Sequence, residues 1–81
     1  MPLTARVKVV TGRTRHFIHG QEMAAPAAVT IVEDDPGYLL LRLNSAGEEM
    51  TDTWHESIAA AKAQAKLEYE IEDCDWKLTD D

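Results

Sequence analysis

The chain has a single cysteine, Cys74, and no long run of apolar residues. One cysteine forms no internal disulfide, so the composition does not indicate an oxidising compartment. No segment approaches the roughly 18 consecutive apolar residues of a transmembrane helix. The first ten residues, MPLTARVKVV, lack the continuous apolar stretch of a secretion signal. We therefore expect a cytoplasmic protein without a membrane partner, in which Cys74 is a small buried apolar group.

Glycine and aromatic residues are also scarce. The four glycines are spread along the chain with one to each turn, so no glycine-rich phosphate loop is present. The 81 residues suffice for one sheet with one helix packed on it, which excludes a two-lobed active site and a repeat array. We expect a single domain over residues 1–81.

Acidic side chains outnumber basic ones, and the two signs are unevenly distributed. Fifteen acids and eight bases give a net charge of −7. Residues 1–20 carry four bases and no acid, whereas residues 68–81 carry seven acids and one base. A basic head and an acidic tail are compatible with nucleic-acid binding, with contact inside one fold, or with contact across a dimer. Since nucleic-acid binding usually needs a basic face on a basic domain, we expect no nucleic-acid partner.

Alternating apolar and polar residues predict β-strands joined by short turns. The predicted strands cover about 3–10, 15–19, 29–33, 38–43 and 49–54, and residues 20–28 are interpreted as a loop. The turn signals are Asp34–Gly37 and Asn44–Gly47. Within 38–43, the leucines at 39, 41 and 43 face one side, and Tyr38, Leu40 and Arg42 face the other. Strands joined by such turns pair antiparallel, which predicts a meander of four to five strands.

A helix is predicted over about 58–73, with Ser57 as its N-cap and an acidic tail at 74–81. The predicted fold class is therefore α+β, an antiparallel meander with one C-terminal helix packed on one face. At helical spacing this segment has two apolar stripes on nearly opposite sides. One stripe consists of Ile58, Ala61, Ala65 and Tyr69, and the other of Ala60, Ala63, Leu67 and Ile71.

A single sheet covers only one of these stripes, so the other needs a second cover. Either the end of the chain folds back, with Trp76 and Leu78 over the stripe, or a partner protein or a second copy packs there. The sequence does not decide which stripe faces the sheet. Each of the two sets of four residues is therefore a candidate partner interface.

The spacing of the candidate catalytic and metal-binding residues matches no specific motif. His16 and His19 have a spacing that suits two metal ligands, but on a strand they point to opposite faces. Asp52, His55 and Ser57 lie too close in sequence to converge as a triad, and capping uses the Ser57 oxygen. We expect no metal site, no cofactor and no enzymatic activity.

The run D-T-W-H-E-S-I-A-A-A-K-A-Q-A-K-L-E-Y, residues 52–69, resembles the strand-to-helix junction of small uncharacterised bacterial proteins. The resemblance implies a stand-alone bacterial accessory protein and carries over neither an activity nor site residues. Within this run, Trp54 is predicted to close the strand-to-helix corner against Ile58.

Together these features predict a small, acidic, non-enzymatic protein that binds another protein through its acidic surface and its surplus helix stripe. In size and charge it is comparable with bacterial immunity and antitoxin proteins, which mask a basic partner. The alternative is a self-associating module in which the surplus stripe forms a homodimer.

Overall fold

The computed structural model describes residues 2–8, 17–18, 21–22 and 25–78. Five antiparallel strands form one open sheet, and a single long helix, α1, packs on one face of it, so the predicted α+β class is confirmed. The elements are β1 (Leu3–Arg6), β2 (Phe17–Ile18), β3 (Gln21–Glu22), β4 (Ala28–Asp34), β5 (Gly37–Leu43), β6 (Glu49–His55), α1 (Ile58–Tyr69), a 3-10 helix (Asp73–Asp75) and β7 (Lys77–Leu78).

The strand order in the large sheet is β6-β5-β4-β1-β7, which places β4 at the centre. Two hairpins join β4, β5 and β6, so this part of the predicted meander is confirmed. The first of these hairpins turns at Asp35–Pro36, whose peptide bond is cis. β1 departs from a simple meander because it pairs with β4, aligning Leu3 with Ile31 and Ala5 with Val29.

Several predicted boundaries differ from the structure. β1 ends at Arg6 rather than near residue 10, and the predicted strand at 15–19 contains β2, which pairs with β3 in a separate two-stranded sheet. The loop predicted at 20–28 is therefore wrong at Gln21–Glu22. The predicted tail at 74–81 contains β7, an edge strand paired with β1.

The helix ends four residues earlier than its predicted end at residue 73. Glu70 adopts the left-handed conformation (φ 55°, ψ 34°), and its backbone N–H donates to the carbonyl oxygen of Lys66. This arrangement ends the helix at Tyr69. At the other end the predicted cap is confirmed, because the Ser57 hydroxyl accepts a hydrogen bond of 3.0 Å from the backbone N–H of Ala60.

The core lies between α1 and one face of the sheet. The alanine stripe faces the strands: Ala61 and Ala65 are 0% exposed, and Tyr69 is buried beside them. Two alanines on one line let the helix backbone approach the strands closely. The rest of the core is formed by Ala5, Val29, Ile31, Leu40, Ile71 and Trp76. Trp76 thus packs in the core and not over the second helix stripe, so it does not provide the cover that one of the two alternatives assigned to it.

Candidate functional site

The most buried polar group of the described residues joins the sheet to the helix. Arg42 on β5 and Glu68 on α1 are both almost completely buried. The Arg42 Nε donates to Glu68 Oε1 at 2.9 Å, and a terminal guanidinium nitrogen donates to Glu68 Oε2 at 2.6 Å. Burial alone lowers the pKa of Arg42, but the hydrogen bond and the charge of Glu68 hold it above its usual value.

Three further side chains extend this pair into a network. Gln64 donates to Glu68 Oε2 at 2.6 Å, and Arg42 donates to the Thr53 hydroxyl at 3.3 Å. Thr53 in turn lies 2.7 Å from the His55 Nε2. Burial and the positive charge of Arg42 lower the pKa of His55. Every polar side chain of this network is engaged inside the fold, so the network fixes α1 on the sheet.

Asp52, His55 and Ser57 do not converge as a catalytic triad. His55 stands opposite Tyr38 in the β5–β6 ladder and bonds to Thr53 on the face toward α1. Asp52 stands opposite Leu41, on the other face of the sheet. Ser57 caps the helix. His16 and His19 lie outside the described residues.

The second predicted stripe lies on the outside of α1. Ala63 and Leu67 are exposed there and Ala60 is half-buried, whereas Ile71 turns inward to the core. A groove of about 420 Å³ runs beside this stripe. Two ion pairs along it join the helix to the segment that follows it: Lys62 with Asp73 at 3.6 Å, and Lys66 with Glu72 at 3.4 Å. Charged side chains therefore occupy the rim of this narrow apolar strip.

A broader apolar surface lies on the face of the sheet turned away from α1, here called the distal face. The strand register assigns these residues to it: Thr4, Arg6, Ala28, Thr30, Val32, Asp34, Gly37, Leu39, Leu41, Leu43, Glu49, Asp52, Trp54 and Lys77. The leucines at 39, 41 and 43 are half-buried, and Trp54 is 52% exposed. The distal face thus has an apolar centre with polar groups at both edges.

Two rows of paired residues cross this face, and each carries a base at one end and an acid at the other. The first row runs from Lys77 through Thr4, Thr30 and Leu41 to Asp52. The second row runs from Arg6 through Ala28 and Leu43 to Glu49. The β1–β7 side of the distal face is therefore basic and its β6 side is acidic.

The acidic side of the distal face consists of neighbouring carboxylates. A hydrogen bond to the Asp52 side chain, partial desolvation and the charge of that carboxylate raise the pKa of Glu49. A bulge in β6 between the residues facing Arg42 and Leu43 shifts the register. This shift leaves Glu49 and Asp52 on the same face.

The basic side includes a groove of about 410 Å³. Its lining residues are Thr4, Arg6, Lys8, Cys74, Asp75 and Lys77. Three cationic side chains against one carboxylate give this groove a positive charge. Cys74 is exposed at its border, so the prediction that this thiol is buried is wrong: the helix ends before it reaches residue 74.

Trp54 lies against Gly37 on the distal face. A β-carbon at Gly37 would contact the indole ring and would lie 2.6 Å from the carbonyl oxygen of His55. The indole therefore uses the space that the missing side chain leaves. The predicted place of Trp54, in the corner against Ile58, is wrong because alternation along β6 turns residue 54 away from the helix.

The sequence did contain a signal for the distal face. Residues 38–43 are apolar on both sides of the strand, with leucines at 39, 41 and 43 on one side and Leu40 on the other. A strand of this kind needs a cover on each face. The two stripes of the helix instead predict the surplus apolar surface on α1, whose outer stripe, with Leu67 between alanines, offers less area than these leucines.

Comparisons with known proteins identify no relative. No protein-family model, curated protein or solved structure matches the chain. Among the described residues, no helix has the length and apolar character needed to span a bilayer. Within the same ranges, no three His, Cys, Asp or Glu side chains are grouped so as to hold a metal ion.

Proposed function

We propose that this chain is a small non-enzymatic protein-binding protein and that its docking surface is the distal face. The observation that carries the proposal is the position of Trp54, half-exposed at the end of a row with Val32 and Leu39. Tryptophan is enriched among the residues that dominate binding energy at protein interfaces. A contiguous apolar patch with a polar rim is the usual form of such an interface.

The contrast with α1 supports this choice of surface. The outer stripe of the helix offers only one large side chain, Leu67, between alanines. Lysines at 62 and 66 are paired along its border with acids of the tail. The distal face instead presents three leucines, a valine and a tryptophan on strands that are hydrogen-bonded to one another.

The use of the buried polar groups supports a non-enzymatic role. Arg42, Glu68, Thr53 and His55 are joined to one another inside the fold. These are groups that an active site would present to a substrate. Binding alone is also the mode of immunity and antitoxin proteins, with which this chain shares small size and acidic charge. We further propose a cytoplasmic location, since a reducing compartment keeps an exposed thiol such as Cys74 free.

Site-specific photo-crosslinking in cells tests the docking surface. A benzoylphenylalanine placed at position 54 should capture a protein, and mass spectrometry identifies that protein and the crosslinked residue. The matched control places the same group at position 67, where the exposed fraction is similar, 40% against 52%. Capture at position 54 and not at position 67 supports the proposal. Equal capture at both positions, or none at position 54, contradicts it.

A further inference from the structure

We infer that the distal face binds a second copy of this chain, packed face to face about a two-fold axis that runs along β4. This inference rests on the proposed function and names the occupant of the same surface. The arrangement is isologous, so one surface serves both copies. Two sheets packed in this way have their strands aligned to within about 30°.

The strand order makes this symmetry available. β4 is the central strand, with β5 and β6 on one side and β1 and β7 on the other. A rotation of 180° about an axis parallel to β4, placed between the two sheets, exchanges these sides. β6 of one copy then lies over β7 of the other, and β5 lies over β1.

The charges at the two edges of the distal face are complementary under this rotation, whereas Asp34, at the end of the central strand, faces its own copy across the axis. Asp52 and Lys77 stand at opposite ends of one row, so Asp52 of each copy faces Lys77 of the other. The same rotation places Glu49 of each copy near Arg6 of the other copy and near the basic groove beside that arginine. Both contacts occur twice because of the symmetry. Opposite charges that meet at an interface set its orientation.

The same charges disfavour the other simple packing. A two-fold axis perpendicular to the strands places β6 over β6, so that Glu49 and Asp52 of one copy meet the same carboxylates of the other. The basic groove is then also opposed to itself. Like charges brought together across an interface cost binding energy. The separation of basic and acidic edges on the distal face therefore favours the dimer with its two-fold axis along β4 over the dimer with an axis perpendicular to the strands.

The area of the face fits a weak homodimer. β4, β5 and β6 are seven residues long, and β1 and β7 have four and two residues. At a rise of about 3.3 Å per residue and a strand spacing of about 4.8 Å, the face measures roughly 430 Å². Two such faces bury roughly 900 Å² in total, which is below the range of stable specific interfaces and within that of weak, transient ones. The leucines of β5 supply the apolar centre, and Trp54 of each copy closes one end. We expect dissociation in the micromolar range.

Charge reversal on the two sides of the face tests the arrangement. One variant carries Glu49→Lys and Asp52→Lys, and the other carries Arg6→Glu and Lys77→Glu. Sedimentation velocity at low salt should show that each variant alone associates at least tenfold more weakly than the unmodified protein. An equimolar mixture should restore association, because an all-basic rim then meets an all-acidic rim.

A third variant is the matched control. Lys62→Glu with Lys66→Glu changes the same number of charges on α1 and should leave association unchanged, and circular dichroism confirms that all variants fold. The inference is overturned if the folded variants associate as strongly alone as the unmodified protein, or if their mixture stays monomeric. If the unmodified protein is monomeric while position 54 crosslinks to a different protein in cells, the inference that a second copy binds the distal face is wrong. The proposed function is then supported with a different partner.

Discussion

Arg42 and Glu68 meet as a two-point ion pair across the contact between β5 and α1, with nitrogen–oxygen distances of 2.9 and 2.6 Å. A helix whose inward stripe is mostly alanine packs against a sheet in several rotations with little difference in apolar area. The ion pair removes this freedom because only one rotation brings Glu68 to the guanidinium. It thereby directs Ala61 and Ala65 inward and leaves Leu67 outside.

Removal of one partner of this pair should be costly. Glu68→Leu leaves the buried Arg42 charge uncompensated, and we expect the free energy of unfolding to fall by about 3–5 kcal/mol. The double variant Arg42→Leu with Glu68→Leu should recover most of this loss, since a hydrophobic pair of similar volume replaces the charges. Urea denaturation measures both values. A double variant as unstable as the single one contradicts the role of the charges.

Stability should fall at alkaline pH because of Tyr69. Burial and the charge of Glu68 raise the pKa of this phenol from its usual 10.0 to about 12. The folded state therefore favours the neutral phenol, so its contribution is complete below about pH 10 and is lost as the pH rises toward 12. We expect a loss of about 2–3 kcal/mol over this interval.

Two phenylalanine variants make the alkaline measurement specific. Tyr69→Phe should flatten the fall in unfolding free energy between about pH 10 and pH 12. Tyr38→Phe, which changes a half-buried tyrosine of β5, should leave the fall intact. The same pH profile in both variants would show that Tyr69 does not cause the dependence.

Gly37 should be intolerant of even one added carbon. Alanine at this position meets the Trp54 ring and a backbone oxygen of His55 at 2.6 Å, and backbone atoms do not move aside easily. We expect Gly37→Ala to lower the unfolding free energy by about 1–3 kcal/mol. Gly47 is the control, since its φ of 81° suits asparagine and a β-carbon there has open space. Gly47→Asn should therefore be nearly neutral, and equal losses at the two glycines would contradict this account.

Glutamate substitutions on the two helix stripes should have opposite effects. Ala65→Glu buries a charge in the core and should unfold the protein, because residue 65 is 0% exposed. Leu67→Glu should leave both the fold and the self-association unchanged, because residue 67 lies far from the distal face. Sedimentation velocity and circular dichroism measure the two properties. A Leu67→Glu variant that is folded but no longer associates would show that the interface lies on the helix and not on the distal face.

Much of the fold was predictable from local signals. Turn residues at 34–37 and 44–47 and alternating strands specify the β4–β5–β6 hairpins, and Ser57 specifies the start of α1. The position of β1 beside β4 was not predictable in this way, because the partner of a strand after a long connection depends on tertiary packing. β7 was missed because a strand of two residues shows no alternation of apolar and polar residues in the sequence.

The candidate site was predictable in part. The sequence predicts more apolar surface than one sheet and one helix cover in each other. It places this surplus on the second stripe of the helix, whereas the structure places it on the distal face. In the sequence Glu68 is one of seven acids in residues 68–81, and its burial beneath Arg42 is a tertiary contact between residues 26 positions apart. The opposed charges on the distal face depend on the register of five strands and on a bulge in β6. None of these is a local property of the chain.

Zero-length crosslinking of the unmodified protein tests the symmetric dimer most directly. A carbodiimide joins an amine to a carboxylate only where they touch, and within one chain Lys77 and Asp52 lie four strands apart, about 19 Å. In an equimolar mixture of ¹⁴N- and ¹⁵N-labelled protein, we predict mixed-label crosslinked peptides that join Lys77 to Asp52 or Glu49. Crosslinked dimers joined only through other residues, or the absence of any intermolecular crosslink at concentrations up to about 1 mM, would contradict the account.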